Sequence, residues 1–381
     1  MQNAEVVLGV LRERGRKGLP CNELYRQLFN LQLYLLAYGR IYSNKGAMTQ
    51  GPTQETADGM TMEKIGAIID AMRSERYCFS PVRRIYIPKK NGKKLRPLGL
   101  PPWSDKLVGE VVRLLLEAYY EPQFSDRSHG FRRGRGCHTA LREIADTWTG
   151  TTWFIEGDIS DCFGSLDHNV MVKILSEKIQ DGRFLRLIGN MLSAGYLEDW
   201  KWNATLSGAP QGGVVSPILS NIYLHKLDEF VGTVLVPQYT QGKVRKRNPS
   251  YFRVYNGIVR ARRRGDRGEA RKLRRELRRL PAGDPYDPGY RRLHYSRYAE
   301  TTSWVLPGRR PRPRQSRANW QRSCETSSTW SSLPRRPWSP TPAEMRRGTS
   351  ATRSSCNTRT ARSPVAYVRS TARSRYECRS T

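Results

Sequence analysis

Lysine, isoleucine, phenylalanine, aspartate and histidine are all missing from residues 301–381. Arg, Ser, Thr and Pro dominate this last fifth of the chain, with 17 Arg against 3 Glu and no hydrophobic period. Such a composition excludes a packed core of its own. A basic tail ordinarily mixes Lys with Arg, and the preceding 300 residues hold 15 Lys. Also missing is any C-x-x-C pair: the seven cysteines are scattered singly, which argues against a zinc site or a disulfide framework and fits a reducing, cytoplasmic setting. No apolar run is long enough to cross a bilayer; the stretch Leu28 to Tyr38 is short and interrupted by Asn30 and Gln32. The N-terminus (Met1-Gln2-Asn3-Ala4-Glu5) lacks the basic and apolar regions of a secretory signal. Acids are scarce, 34 against 66 Lys and Arg, leaving a formal charge of +32. With no membrane segment, that charge points to nucleic acid as the partner.

The pattern of the first 300 residues is that of a folded protein with a net charge of +18. Residues 1–80 read as mostly helical: Leu24, Leu28, Leu31 and Leu35 recur at helical spacing, a polar loop spans Gly46 to Gly59, and Met62, Ile65, Ile68, Ile69 and Met72 form a second apolar face. At residue 82 the period changes to two. Two short strands flank Lys89 to Lys94, whose Asn91-Gly92 dipeptide favours a tight hairpin. Ser104 is placed to cap a helix carrying Leu107, Val111, Leu114 and Leu115. Trp153 to Ile159 is strand-like, and helices are expected from about Asp167 to Lys178, Phe184 to Leu192 and Ser216 to Phe230. Residues 243–280 form an arginine-rich insertion ending in a helix over Glu269 to Leu280, and Arg291 to Tyr298 is a strand-like return.

Some of these segments carry chemistry. Asp158 ends an apolar strand, a suitable place for a carboxylate that binds a hard cation, and the Ile159 carbonyl could add a second oxygen. A lone aspartate there could equally be a loop or capping acid. Asp161 and Asp167 suit surface or capping roles better. Gly208 to Gly213 suits a turn that brings backbone close to a base pair, with Gln211 and Gly212 at its centre; a Walker phosphate loop is disfavoured because its Gly-Lys-Ser/Thr is absent. Tyr251, Phe252 and Tyr255 within the arginine cluster suit RNA, through phosphate contacts and stacking, though a plain solvated helix fits its far face. Cys137 and Cys162 read as small buried residues. His129, His138 and His168 read as structural or surface groups.

Three blocks, in order, resemble the motifs of group II intron reverse transcriptases. They are Tyr86 to Gly99, Glu156-Gly157-Asp158-Ile159-Ser160-Asp161-Cys162-Phe163, and Gly208 to Pro217; Tyr119 to Gly136 and Leu33 to Gly46 are similar to further parts of the family. The resemblance covers roughly residues 20 to 299. It implies an α/β (α+β) right-hand polymerase core: a helical N-terminal extension (1–80), fingers with a basic hairpin (81–150), an incomplete palm (151–300) holding the 243–280 insertion, and a disordered tail (301–381). It also implies RNA-directed DNA synthesis with Mg2+, acting on a template–primer and dNTP and coupled to intron RNA binding. Asp158 and Ile159 would hold metal, Lys89 and Arg96 would meet the triphosphate, Phe163 would pack under the incoming sugar, and Gln211 and Gly212 would position template or nucleotide. An ordinary core Phe163 and a solvated Lys89–Arg96 turn remain alternatives. A non-catalytic RNA-binding remnant, or a retron or diversity-generating polymerase, are the competing assignments. No counterpart of the family's thumb, maturase domain or endonuclease motifs is recognised after residue 299.

The family's next block is Tyr-Ala-Asp-Asp, where this chain has Tyr298-Ala299-Glu300-Thr301. Glu300 carries its oxygens farther out, and Thr301 is no anion. The run Glu300 to Trp304 can be written GAG ACG ACT TCT TGG. Read two nucleotides later, those bases spell Asp-Asp-Phe-Leu. The tail is therefore read as out of frame, and the chain is expected to be inactive as a polymerase.

Overall fold

The structure is a computed structural model that describes residues 3–44, 46–88, 95–148, 153–159, 162–205, 208, 213–306 and 346–347. It mixes helices with two four-stranded sheets. Helix α1 (Ala4–Arg16) starts on Asn3, whose side chain accepts from the Glu5 amide, and buries Val7, Leu8 and Leu11. The expected continuous period from Leu24 to Leu35 is corrected: a 3-10 turn covers Tyr25–Phe29, and Asn30 breaks it to cap α2 (Leu31–Ile41). Asparagine competes for backbone amides and so starts helices rather than continuing them. Thr61 caps α3 (Met62–Arg73), which buries Ile65, Ile68, Ile69 and Met72, the residues the 3.6 period picked out.

Strands β1 (Val82–Pro88) and β2 (Leu95–Leu100) form the expected antiparallel hairpin, with Ile87 opposite Arg96. Its turn, with Lys89, lies outside the described residues. Helix α4 (Trp103–Tyr120) is the spine of the protein, buried along nearly its whole length. Ser104 is not its cap: Pro102 occupies that position, and the Ser104 amide and hydroxyl both donate to Glu55 (3.0 and 2.9 Å). Proline is well suited to a helix start because no amide is needed there. In the first turn, Asp105 is buried and accepts from the Tyr77 hydroxyl (2.6 Å) and the Ser80 amide (2.9 Å). Burial pushes its carboxyl up to about 6.

Helix α5 (Cys137–Thr147) follows, then strand β3 (Trp153–Asp158), α6 (His168–Ser176) and α7 (Gly182–Ser193). Short strands β4 (Tyr196–Glu198) and β5 (Lys201–Asn203) extend the first sheet to the order β2-β1-β4-β5, β1 and β4 running parallel. Helix α8 spans Ser216–Phe230 with Pro217 in its first turn. It widens into a π turn (Val231–Leu235) before α9 (Val236–Tyr239). Pro237 has no amide to continue the i→i−4 ladder, which accounts for a wider turn at this point. The arginine-rich insertion is a pair of packed helices, α10 (Pro249–Arg263) and α11 (Arg267–Leu277), rather than one helix at its end. Asn248 and Asp266 cap the two.

The second sheet has the order β6-β7-β3-β8, from β6 (His294–Tyr298), β7 (Thr301–Leu306), β3 and the two-residue β8 (Arg346–Arg347). The expectation of disorder from residue 301 is therefore corrected over its first six residues. Thr301-Thr302-Ser303-Trp304-Val305-Leu306 is rich in β-branched and aromatic side chains, which suits a pleated surface. It pairs on both sides, with β6 and with β3. The core is one large cluster joining α1, α2, α3, α4, α6, α7 and α8, with a smaller one where the end of α8 meets β6. No helix among the described residues is long and apolar enough to cross a membrane.

Candidate active site

The ends of β3 and β7 bring the sequence-selected acid next to the altered block. Asp158 is the register partner of Thr301, and the Ile159 amide donates to the Glu300 carbonyl at 3.2 Å. Tyr298 pairs with Thr301, so Ala299 and Glu300 alone make the turn between β6 and β7. Ala299 sits at φ +53°, a left-handed conformation that alanine rarely adopts. The side chain of Asp158 lies outside what is described, as do Gln211 and Gly212.

The turn is locked from beneath by Arg297, which is fully buried. Its guanidinium donates to Asp228 on α8 through two nitrogens (2.9 and 2.7 Å), to Asn221 Oδ1 (3.2 Å), to the Ala299 carbonyl (3.0 Å) and to the Ser128 hydroxyl (2.7 Å). Burial alone would lower the arginine's pKa, yet the Asp228 carboxylate more than offsets this and holds it above its ordinary value. Tyr295 donates to the same carboxylate (2.7 Å), and burial, reinforced by Asp228, pushes its phenol well above the ordinary range. The loop at 127–130 closes the other side. The Arg297 amide donates to Arg127 O (2.8 Å), the His129 amide donates to Arg297 O (2.9 Å), and Asn221 holds the Gly130 carbonyl (2.9 Å). A methyl group on Gly130 would overlap the Ala299 backbone, so only glycine allows this approach.

Phe163 is half-buried, with its ring edge-on to Phe131 at 6.1 Å. The backbone after it packs on Gly208, which has φ +93° and whose amide donates to Leu166 O (2.7 Å). Gly208 is thereby held against the Phe163 segment. Arg96 is exposed on β2, with Lys89 beyond the described part of that hairpin. Asp167 caps α6 through the Val170 amide (2.9 Å), the capping role expected of it, while Asp161 lies outside the described residues. His129 is structural, its ring between Thr139 Oγ1 (2.9 Å) and Glu143 (2.7 Å), and His168 contacts the Gly208 carbonyl (2.8 Å). His138 is exposed. Cys137 and Cys162 are half-buried rather than buried, because each stands at the rim of a helix or loop and not within the core cluster. Arg297, Asp228 and Asn221 escaped the sequence reading, whereas Gly130 lay within the Tyr119 to Gly136 stretch it singled out. The one available hint was a charged residue immediately before Tyr298-Ala299.

Among the described residues, no group of three His, Cys, Asp or Glu side chains could hold a metal ion. At the strand ends the chain offers Asp158, the Glu300 carboxylate and a neutral Thr301. A pair of divalent ions about 4 Å apart needs clustered carboxylates to hold it.

Residues 87–239 match the family model described as reverse transcriptase (RNA-dependent DNA polymerase). The chain is 44% identical over 284 residues to the group II intron-encoded protein LtrA of Lactococcus lactis subsp. cremoris, covering 73% of this chain and 47% of that protein. It is 43% identical over 286 residues to an uncharacterized 91 kDa protein in the cob intron of Schizosaccharomyces pombe, covering 74% of this chain and 35% of the relative. It is 27% identical over 256 residues to nuclear intron maturase 1, mitochondrial, of Arabidopsis thaliana, covering 46% and 36%. The chain thus spans about half the length of LtrA or less of these relatives.

Proposed function

We propose that the chain is a member of the group II intron-encoded reverse transcriptases and maturases, and that it binds intron RNA and a template–primer but does not polymerise DNA. In this reading the first sheet with its basic hairpin is the fingers and the second sheet is the palm. Asp158 and Ile159 are what is left of a Mg2+ site. Lys89 and Arg96 face the triphosphate of a dNTP, Phe163 packs against its sugar, and Gln211 with Gly212 positions the template or nucleotide.

One observation supports the loss of chemistry above the others. Asp158 pairs with Thr301, and Ile159 bonds to Glu300, so the position next to the remaining acid is occupied by a neutral hydroxyl and a longer carboxylate. Phosphoryl transfer depends on charge held in place before reaction, and removing one well-placed stabilising group costs about a hundredfold or more in rate.

Single-nucleotide primer extension on an RNA template with Mg2+ tests this. The chain as it stands should give no extension above background. The Glu300→Asp/Thr301→Asp double substitution should raise incorporation by about a hundredfold or more. Incorporation above background by the unaltered chain would refute the proposal.

A further inference from the structure

Phe131 stands where a bulky side chain is seldom found. It sits at φ +56°, in the left-handed region, and its ring is 54% exposed, so little burial offsets the strain. Its neighbours hold the backbone there. On one side the Gly130 carbonyl accepts from Asn221 (2.9 Å), and Gly130 packs so closely on the Ala299 backbone that no side chain would fit between them. On the other side the Arg132 guanidinium is buried. It donates to Glu121 (3.0 and 3.2 Å), to the Ser125 carbonyl (2.7 Å) and to the Ser128 carbonyl (2.8 Å). Phe131 is pinned between two anchored residues, and they fix where its ring points.

What the ring meets is Phe163. The two centroids are 6.1 Å apart with the planes at 72°, the edge-to-face arrangement that aromatic quadrupoles favour. The main chain of Phe163 is already wedged in place. A side chain on Gly208 would collide with the Phe163 carbonyl and the Gly164 backbone, and the Gly208 amide donates to the Leu166 carbonyl (2.7 Å). The Phe163 ring is less constrained. It is half-buried and stands on a turn, where more than one staggered rotamer is open to it. The edge of Phe131 removes part of that freedom.

A ring that selects between sugars must not yield. A ribonucleotide differs from a deoxyribonucleotide by one hydroxyl, and an apolar pocket rejects an added hydroxyl only weakly unless its wall stays in place. We propose that Phe131 is a positioning residue for nucleotide selection: by bracing the Phe163 ring, it sets how strongly the pocket rejects a 2′-hydroxyl. The inference rests on the reading of Phe163 as the residue against the sugar, and adds to it a partner from a separate loop. An edge-to-face pair is strong enough to shift a rotamer population by about two- to tenfold, which is the size of effect expected.

The test titrates dGTP and GTP in parallel against the full-length protein on an RNA template and a 3′-dideoxy-terminated DNA primer, with C as the next template base and Mg2+ present. The readout is the nucleotide concentration that half-protects the complex from a heparin challenge, which requires no bond formation. The unaltered chain should need more GTP than dGTP. Phe163→Ala should bring the two concentrations together. Phe131→Ala should narrow the GTP-to-dGTP ratio by about two- to tenfold through better binding of GTP, a gain that a merely loosened fold does not produce. Phe131→Tyr should restore the ratio, and adding Phe131→Ala to Phe163→Ala should change it no further. An unchanged ratio in Phe131→Ala overturns the proposal. So does an equal narrowing on top of Phe163→Ala, since Phe131 would then act without its partner. If the unaltered chain does not distinguish the two nucleotides, the reading of Phe163 as the sugar contact is itself wrong, and the bracing role falls with it.

Discussion

A single guanidinium determines whether the β6–β7 turn is held. Arg297 and Asp228 are both completely shielded from water, and the pair is closed by Tyr295, Asn221, Ser128 and the Ala299 carbonyl. Removing one partner of such a pair leaves the other charge buried alone, at a cost of about 3–5 kcal/mol. Arg297→Met should lose about that much in denaturant unfolding. The Arg297→Met/Asp228→Leu double variant should lose less than the sum of the singles, the mark of direct coupling. Asp105 gives a second residue-level outcome. Its pKa in the folded protein is raised to about 6 by burial, from an ordinary 3.8. Between those values the unfolded chain has released the proton while the folded protein still holds it. Stability should therefore fall as pH rises from about 4 to 6, by at most about 3 kcal/mol, and stay level above. Unfolding free energies of the wild type and Asp105→Asn across pH 4–7 check this, because the variant should lack that component. The Asp105 environment and the Arg297 cluster were both illegible in the sequence. Arg297 and Asp228 are separated by 69 positions, and composition alone ranks arginine among surface residues.

At the scale of elements, periodicity carried most of the information. The apolar faces of α3 and α4, the β1–β2 pairing and the span of α8 all follow from spacing that the sequence displays. What failed did so for local reasons. Asn30 cut a leucine repeat, Pro102 displaced Ser104 as a cap, and α10 hid behind its arginines, which are good helix formers that reveal no apolar stripe. The strand Thr301–Leu306 is not legible in the sequence because its six residues run without a break into the Ser-, Thr- and Arg-rich 75 that follow, with no hydrophobic period to set them apart. It lies between β6 and β3, so it is an interior strand. A chain ending at Glu300 should leave two strands with unpaired edges and aggregate, whereas one ending at Leu306 should stay monodisperse. Size-exclusion chromatography of the two truncations separates these outcomes. Thr302→Pro should resemble the shorter truncation, since proline cannot donate within an interior strand.

For the whole molecule, the charge distribution is the dominant physical fact. A formal +32, of which +18 belongs to the first 300 residues, favours association with polyanions. RNA affinity should fall steeply and linearly in log–log form with salt, as counterions released by phosphate contacts are restored. Asp158→Ala should leave both affinity and slope unchanged, because removing one acid from a strand end takes away no phosphate contact. Filter binding of the two proteins in parallel decides the matter; a loss of affinity in the variant would mean that the acid takes part in holding RNA.

The interior position of β7 ties two otherwise separate strands into one sheet. Threonines, a tryptophan and a valine complete the hydrogen-bonded ladder between β6 and β3, so the backbone that carries Asp158 depends for its second neighbour on residues 301–306.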